Sequence, residues 1–418
     1  MFAIIILVCV FFFCISYFRY RNLINPYSSF NVLWIFVSLL ILIGNRFVYA
    51  PNNTSSICVL IGILGFNCSM YSKRLIVGKH SEKQEYRLNL NLVCILSLVV
   101  VVMMASDAIL AIKDALAGVS FSEIRHGYFK YDTVALYYVN NFFVFPMGYA
   151  VISSAIVSIF SNSGSKRKRM FLAINAGLIV FFQALMSGGR YILMNTIFMI
   201  VCGYALYKNK KRIQFRYKLL IIFIFVSLGY FIIFLTENRS SFIMGDMSIW
   251  QKMYTTIYLY FAGSVTYLGK VLETSPEVIS STLGVNLIAG FISPIFAALN
   301  FLHILPYPEI FSVIGTKACV QLLIGPNSFY NAMPTIFGYF FIDGGYILTF
   351  IESWIFGYAS KRSFIGATRR DKMFQTIYLL IFVQVCISST RWMIYSPEFA
   401  LAFLYVRLMF KNPSTSTL

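Results

Sequence analysis

Long apolar runs recur along almost the whole of this 418-residue chain, and they constrain its fold more than any other feature. A helix that crosses a bilayer needs about 20 mostly apolar residues, and about eleven stretches meet that requirement. They are the residues 1–18, 30–49, 56–71, 91–112, 134–160, 170–187, 190–207, 218–235, 336–359, 374–390 and 396–410. The sequence therefore predicts an all-α polytopic membrane protein with about 11 transmembrane helices, organised as a single membrane domain over 1–418.

The composition excludes the water-soluble classes. Hydrophobic residues make up 59% of the chain and charged residues only 12%, with a mean hydropathy of +0.76. Soluble domains carry about 25% charged residues, which they need to cover a water-facing surface. Soluble enzymes, secreted domains and nucleic-acid-binding modules are excluded. We therefore expect membrane lipids, and no nucleic acid, as partners.

Basic residues set the predicted orientation. The chain has 34 Lys and Arg against 15 Asp and Glu. They cluster at 73–87, 166–169, 208–218 and 361–372, which all fall on one side if the spans alternate. Because Lys and Arg accumulate in cytoplasmic loops, the N-terminus is predicted outside and the C-terminus inside. The segment 236–335 is then a large outer loop, with interfacial or re-entrant helices or a further pair of spans within it.

Two groups of charged residues fall at predicted outer helix ends, where outer loops otherwise avoid basic residues. Arg190 ends the motif SGGR, in which a glycine turn and a guanidinium fork suit a phosphate. The alternative is an arginine that snorkels to the headgroups. Glu237 and Arg239 lie in the motif TENRSS. Arg239 can bind a diphosphate, with Glu237 as a base or an orienting partner. The alternative is an ordinary cap of the helix at the membrane interface.

Further candidates follow later in the chain. Arg391 and Trp392 can hold a phosphate or stack on a sugar, or can anchor the chain at the interface. Asp343 lies about two turns inside a span and is expected to pair with an outer arginine, whereas Glu352 is assigned to packing or to a helix–helix pair. His303 is a weaker candidate for substrate contact.

The common catalytic motifs are missing from the sequence. There is no Walker A loop, no G-x-S-x-G and no H-E-x-x-H, and no pair of nearby carboxylates with metal-ligand spacing is seen. Seven of the eight cysteines lie in apolar runs and none forms a C-x-x-C pair. We therefore predict no metal site and no cofactor.

Four segments resemble the O-antigen polymerases of the Wzy type and related oligosaccharide repeat-unit polymerases. These are SGGR at 187–190, TENRSS at 236–241, YLYFAGSVTYL at 258–268 and NAMPTIFGYFFIDGGYIL at 331–348. The number of spans and the large late outer loop are also similar to that family. The resemblance implies a fold like the C-type glycosyltransferases and a place in lipopolysaccharide or other polysaccharide biosynthesis at the bacterial inner membrane.

The implied activity is a metal-independent glycosyl transfer that joins repeat units linked to undecaprenyl diphosphate. Arg190 and Arg239 would stabilise the leaving diphosphate, and Glu237, Asp246 or Asp343 would serve as a base. Tyr330 and Asn331 would contact sugars, unless they are interfacial belt residues. The resemblance adds a chain-length regulator and a flippase as possible partners. A lipid-linked oligosaccharide flippase and an O-antigen ligase remain as alternative functions.

Overall fold

The computed structural model describes residues 1–72, 86–120, 123–124, 134–187, 189, 191–207, 248–314, 320–326, 328–330 and 334–411. Within these ranges the chain is almost entirely helical. Six helices are long and apolar enough to cross a membrane, namely Phe2–Tyr20, Pro26–Ile43, Asn53–Tyr71, Leu90–Leu116, Ala135–Ser161 and Lys166–Ser187. The protein is therefore an all-α, multi-pass membrane protein, while the total of eleven spans stays a prediction.

The helices are numbered in chain order. They are α1 (Phe2–Tyr20), α2 (Pro26–Ile43), α3 (Asn53–Cys68), α4 (Leu90–Leu116), α5 (Val134–Val139), α6 (Phe145–Ser161), α7 (Lys166–Ser187), α8 (Tyr191–Tyr207), α9 (Ile249–Tyr258), α10 (Ser264–Thr274), α11 (Ala289–Phe301), α12 (Ile336–Thr368), α13 (Lys372–Cys386) and α14 (Pro397–Met409). One-turn π segments join α5 to α6 at Asn140–Val144 and α9 to α10 at Leu259–Gly263.

Two short antiparallel pairs complete the secondary structure of the described residues. Strand β1 (Arg87–Leu88) pairs with β4 (Phe410–Lys411). Strand β2 (Leu322–Gly325) pairs with β3 (Ser328–Tyr330).

The chain divides into two compact units, and its organisation as a single membrane domain stays a prediction. Unit 1 comprises Met1–Glu82, Met247–Phe364 and Gln384–Ala400. Unit 2 comprises Lys83–Asp246, Ile365–Val383 and Leu401–Leu418. In unit 2, α6 packs against α4, α7 and α8 and is buried along nearly its whole length.

Aromatic side chains of α2, α3 and α12 form the core of unit 1. The rings of Phe30 and Phe66 stack at 3.9 Å, and the indole of Trp34 lies 5.0 Å from the ring of Phe337. Each aromatic side chain buries a large apolar surface, which makes such a cluster a dominant packing term. The fully buried ring of Tyr27 extends this core toward the end of α3.

Helices α3 and α12 approach closely at small residues. A Cβ atom on Gly65 would lie 2.4 Å from the carbonyl oxygen of Phe350, and one on Gly357 would lie 2.5 Å from the carbonyl oxygen of Phe66. Small residues at such crossings are typical of membrane helices, because they let two backbones come into contact. A buried pair, Asn31 and Asn67, joins α2 to α3 by reciprocal amide hydrogen bonds of 2.8 and 3.1 Å.

Helix α12 is broken within its first third. Gly344 and Gly345 have non-helical backbone angles, so the 33-residue segment consists of two helical parts. Gly345 has φ 61° and ψ −149°, a region of backbone space that is essentially restricted to glycine. The break directly follows Asp343, which therefore lies at the C-terminal end of the first part.

The described residues between α9 and β3 belong to unit 1 and include α10 and α11. Helix α10 lies against the start of α3, where Asn52 donates to the Glu273 carboxylate at 2.9 Å. Lys270 forms an ion pair with the same carboxylate at 2.8 Å. These two donors hold the pKa of Glu273 below its usual range.

Candidate functional site

The buried polar centre of unit 1 surrounds Asp343. This side chain has no exposed surface, although it lies in a predominantly apolar helix. Its Oδ1 atom accepts hydrogen bonds from the Thr282 hydroxyl at 2.5 Å and from the Asn286 backbone N–H at 3.2 Å. The backbone N–H of Gly284 also interacts with this carboxyl. Three donors from one loop therefore converge on Asp343.

The loop of residues 275–288 is built to present these donors. It is a series of short turns that includes the 3-10 segments Pro276–Val278 and Val285–Leu287. Gly284 has φ 86°, which turns the chain back over the carboxyl. The Asn286 amide donates to Thr282 Oγ1 at 2.9 Å and to the Tyr339 carbonyl at 3.1 Å. Its Nδ2 atom thus ties the loop to the first part of α12.

A second buried carboxyl, that of Glu352, faces the first. Glu352 is 3% exposed and lies on the second part of α12. Its carboxyl interacts directly with that of Asp343, and its Oε1 atom lies 3.6 Å from the position of a Cβ on Gly284. Neither Oδ2 of Asp343 nor Oε2 of Glu352 completes a well-oriented hydrogen bond with any described residue. We call Asp343 and Glu352 the carboxyl pair.

Asp343 was expected to pair with an outer arginine, and Glu352 was assigned to packing or a helix–helix pair. Among the described residues, Asp343 interacts with Glu352 and with the loop 282–286. Its pairing with Arg190 or Arg239 stays a prediction, because both arginines lie outside the described residues. The break at Gly344–Gly345 changes the helical phase between the two acids. Thr282 and Asn286 were not predicted, because they come from a loop about 60 residues earlier.

Trp392 also contacts the loop of residues 275–288. Its Nε1 donates to the Asn286 carbonyl at 3.0 Å, and its ring packs edge-on against Phe340 and Phe356. The side chain is only 3% exposed. These contacts give Trp392 a structural role, and its predicted stacking on a sugar stays a prediction.

The neighbouring Arg391 is only partly buried and lies within electrostatic range of Glu398. Its backbone carbonyl accepts from Gln384 Nε2 at 3.0 Å, and the Gln384 Oε1 atom accepts from the Met393 backbone N–H at 2.7 Å. Gln384 therefore fixes the turn that carries both Arg391 and Trp392. A substrate-binding role for Arg391 stays a prediction.

The other described candidates lie apart from the carboxyl pair. The hydroxyl of Tyr330 donates to the Leu259 carbonyl at 2.9 Å and lies 2.9 Å from Ser264 Oγ, so it joins β3 to the π segment. His303 is exposed in the turn after α11, with φ 56°. Neither takes part in the hydrogen bonds around Asp343, and their predicted contacts with substrate stay predictions.

Five predicted site residues lie outside the described residues: Arg190, Glu237, Arg239, Asp246 and Asn331. Within the described residues, no group of three or more His, Cys, Asp or Glu side chains is arranged to hold a metal ion.

Comparisons with known proteins give no relative: no family model, curated protein or solved structure matches this chain. The fold and the site together define a class, a multi-pass helical membrane protein with a carboxyl pair buried at the break of one helix.

Proposed function

We propose that this protein polymerises oligosaccharide repeat units linked to undecaprenyl diphosphate, on the outer face of a bacterial inner membrane. In this reaction the hydroxyl of an acceptor sugar attacks the anomeric carbon of the donor glycan. The bond to the lipid diphosphate breaks, and the acceptor hydroxyl loses its proton. The product is an O-antigen or a related capsular or extracellular polysaccharide.

The observation that carries this proposal is the state of Asp343. Its Oδ1 atom accepts from the Thr282 hydroxyl and the Asn286 backbone N–H, while Oδ2 has no well-oriented partner among the described residues. A fixed carboxyl with one free oxygen is suited to accept a proton from a hydroxyl. The buried position at a break in an apolar helix suits a substrate whose reacting end lies near a membrane surface.

The leaving diphosphate needs positive charge, which Arg190 and Arg239 supply in the proposed reaction. Both roles come from the sequence resemblance, and both side chains lie outside the described residues. The absence of a metal requirement also stays part of the proposal.

The proposal is tested in a strain that lacks the gene, by separating its surface glycans by size on a gel. Single repeat units attached to their carrier, without longer chains, are expected. Wild-type protein should restore the ladder and Asp343→Asn should not, while Glu273→Gln, an exposed carboxylate change outside the site, should restore it. An unchanged ladder in the deletion strain would remove the protein from this reaction.

A second function is favoured by the broken helix. Interrupted membrane helices with buried acidic side chains are common at the binding sites of ion-coupled transporters. A flippase for the same lipid-linked oligosaccharide would use the carboxyl pair to couple transport to protons. Loss of every attached repeat unit in the deletion strain would point to this function or to a ligase. Purified protein that elongates lipid-linked units in detergent would exclude both.

A further inference from the structure

Around the carboxyl pair, the donors of Thr282 and Asn286 are hydrogen-bonded, whereas several buried acceptor oxygens have no donor within the described part of the chain. The Thr282 hydroxyl and the Asn286 backbone N–H donate to Asp343, and the Asn286 side-chain amide donates to Thr282 and to the Tyr339 carbonyl. Three buried oxygens have no donor among the described residues: Asn286 Oδ1, Asp343 Oδ2 and Glu352 Oε2. Buried acceptors are costly without a donor. A proton on one of the two carboxyls would supply a donor to these oxygens.

No cation of the described residues meets this need. The carboxyls of Asp343 and Glu352 make no ion pair with a described Lys or Arg. The nearest charged residues on the segment that carries Trp392 are Arg391 and Glu398, and these interact with each other. Cys58, Tyr339, Tyr346 and Tyr395 lie on the elements packed around the break, and none of these side-chain types is cationic. The loop 275–288 carries one further acid, Glu277, which is exposed.

Two ionised carboxylates in direct contact would repel each other strongly, because the surroundings have a low dielectric constant. One proton shared by the pair removes this repulsion and supplies the missing donor. The donors also decide where the proton resides. All of those from the loop converge on Asp343, which favours its ionised form, whereas Glu352 receives none of them.

We propose that the carboxyl pair holds a single proton at neutral pH, with Glu352 as the protonated partner that donates to Asp343. If the proposed function holds, the shared proton makes Glu352 a positioning residue for Asp343 in the transfer reaction. The acceptor hydroxyl forms the new glycosidic bond, the bond to the diphosphate breaks with its electron pair on the leaving oxygen, and the hydroxyl proton passes to Asp343 Oδ2. The pair then carries two protons and releases one to water before the next cycle.

Infrared spectroscopy tests the shared proton without reference to activity. The purified wild-type protein at neutral pH should show the C=O stretch of a protonated carboxyl that shifts in heavy water. Glu352→Gln should remove this band, because the amide donates in place of the acid and Asp343 is ionised. Asp343→Asn should keep it, because Glu352 stays buried and protonated. Glu273→Gln is the matched control and should leave the band unchanged.

The inference is overturned if the wild-type spectrum lacks the band, or if the band is lost in Asp343→Asn and retained in Glu352→Gln. It is also overturned if sodium or potassium ions change the band, since a cation would then occupy the place of the proton. Glu352→Asp keeps a carboxyl at the position and should keep the band, so it serves as the second variant should Glu352→Gln fail to fold.

The pH dependence of polymerisation connects the shared proton to the reaction. Wild-type rate should be bell-shaped in pH, since activity falls when the pair binds a second proton and again when it loses the first. Asp343→Asn should lose about 100-fold or more in rate. Glu352→Gln should be slower than wild type and lack the alkaline fall, which Glu352→Asp restores. An absence of polymerisation by the wild-type protein refutes the proposed function, whereas an active Glu352→Gln with an unchanged pH profile refutes only the role of Glu352.

Discussion

Replacing Gly65 by alanine tests the close packing of α3 on α12, which positions the carboxyl pair. The new Cβ would lie 2.4 Å from the carbonyl oxygen of Phe350 and 3.1 Å from its Cα. Ordinary van der Waals contact begins near 3.4 Å, so the two helices have to separate by about 1 Å at this point. Overpacking of this kind costs about 1–3 kcal/mol.

Gly177 provides a matched control, because it also lies inside a helix and a Cβ there meets no atom within 4 Å. Both substitutions gain the same helix propensity, about 0.5–1 kcal/mol. The difference between the two variants therefore isolates the contact with Phe350. We expect Gly65→Ala to be about 1–3 kcal/mol less stable than Gly177→Ala in reversible unfolding by sodium dodecyl sulfate in mixed micelles.

Stabilities of the two variants that agree to within about 0.5 kcal/mol would refute a costly contact with Phe350. In that case the helices can move apart without cost, and the packing of α3 does not fix the position of α12.

Three further substitutions test single contacts by the same unfolding measurement. Thr282→Val removes a hydroxyl that donates to the Asp343 carboxylate and should cost about 1.5–3 kcal/mol; an unchanged stability would mean that this bond is not formed. Asn67→Leu leaves the Asn31 amide short of a buried partner and should cost about 1–3 kcal/mol, part of which the double change to leucine should recover. The folded-state pKa of Glu273 is lowered by its hydrogen bonds, so its contribution is present above the unfolded pKa and lost as the pH falls. Because this side chain is exposed, Glu273→Gln should cost no more than about 0.5 kcal/mol at pH 7 and nothing at pH 3.

The helices could be predicted from the sequence because the length of an apolar run is a local signal. The predicted spans 1–18, 91–112 and 170–187 coincide closely with helices α1, α4 and α7. The second span was placed at 30–49, whereas α2 begins at Pro26 and ends at Ile43. Its start is fixed by the Asn25 cap and by proline in the first turn, which hydropathy does not register.

The carboxyl pair could be predicted only in part. Asp343 was identified, since an acid within an apolar span is costly and calls for a partner. The contact with Glu352 was not predicted, because Glu352 is nine positions later and no helical period connects the two acids across the break after Asp343. The donors from Thr282 and Asn286 depend on the tertiary fold of a distant loop. One local signal was available, because two glycines that follow a buried acid indicate a possible interruption of the helix.

The break itself is open to a test that separates backbone strain from the geometry of the site. Gly345 and Gly44 both have backbone angles of a region essentially restricted to glycine, and a Cβ at either meets no atom within 4 Å. Alanine should therefore cost each position about the same, 1–3 kcal/mol, through backbone strain alone.

Only Gly345 lies next to Asp343, so only Gly345→Ala should also displace the carboxyl pair. A misplacement of about 1 Å at a reacting group can reduce a rate by about 100-fold. We expect Gly345→Ala to lose polymerisation to that extent and to alter the infrared band of the carboxyl pair, while Gly44→Ala loses stability alone. Equal rates and equal spectra in two equally destabilised variants would mean that the glycine break shapes the helix without setting the position of its acids.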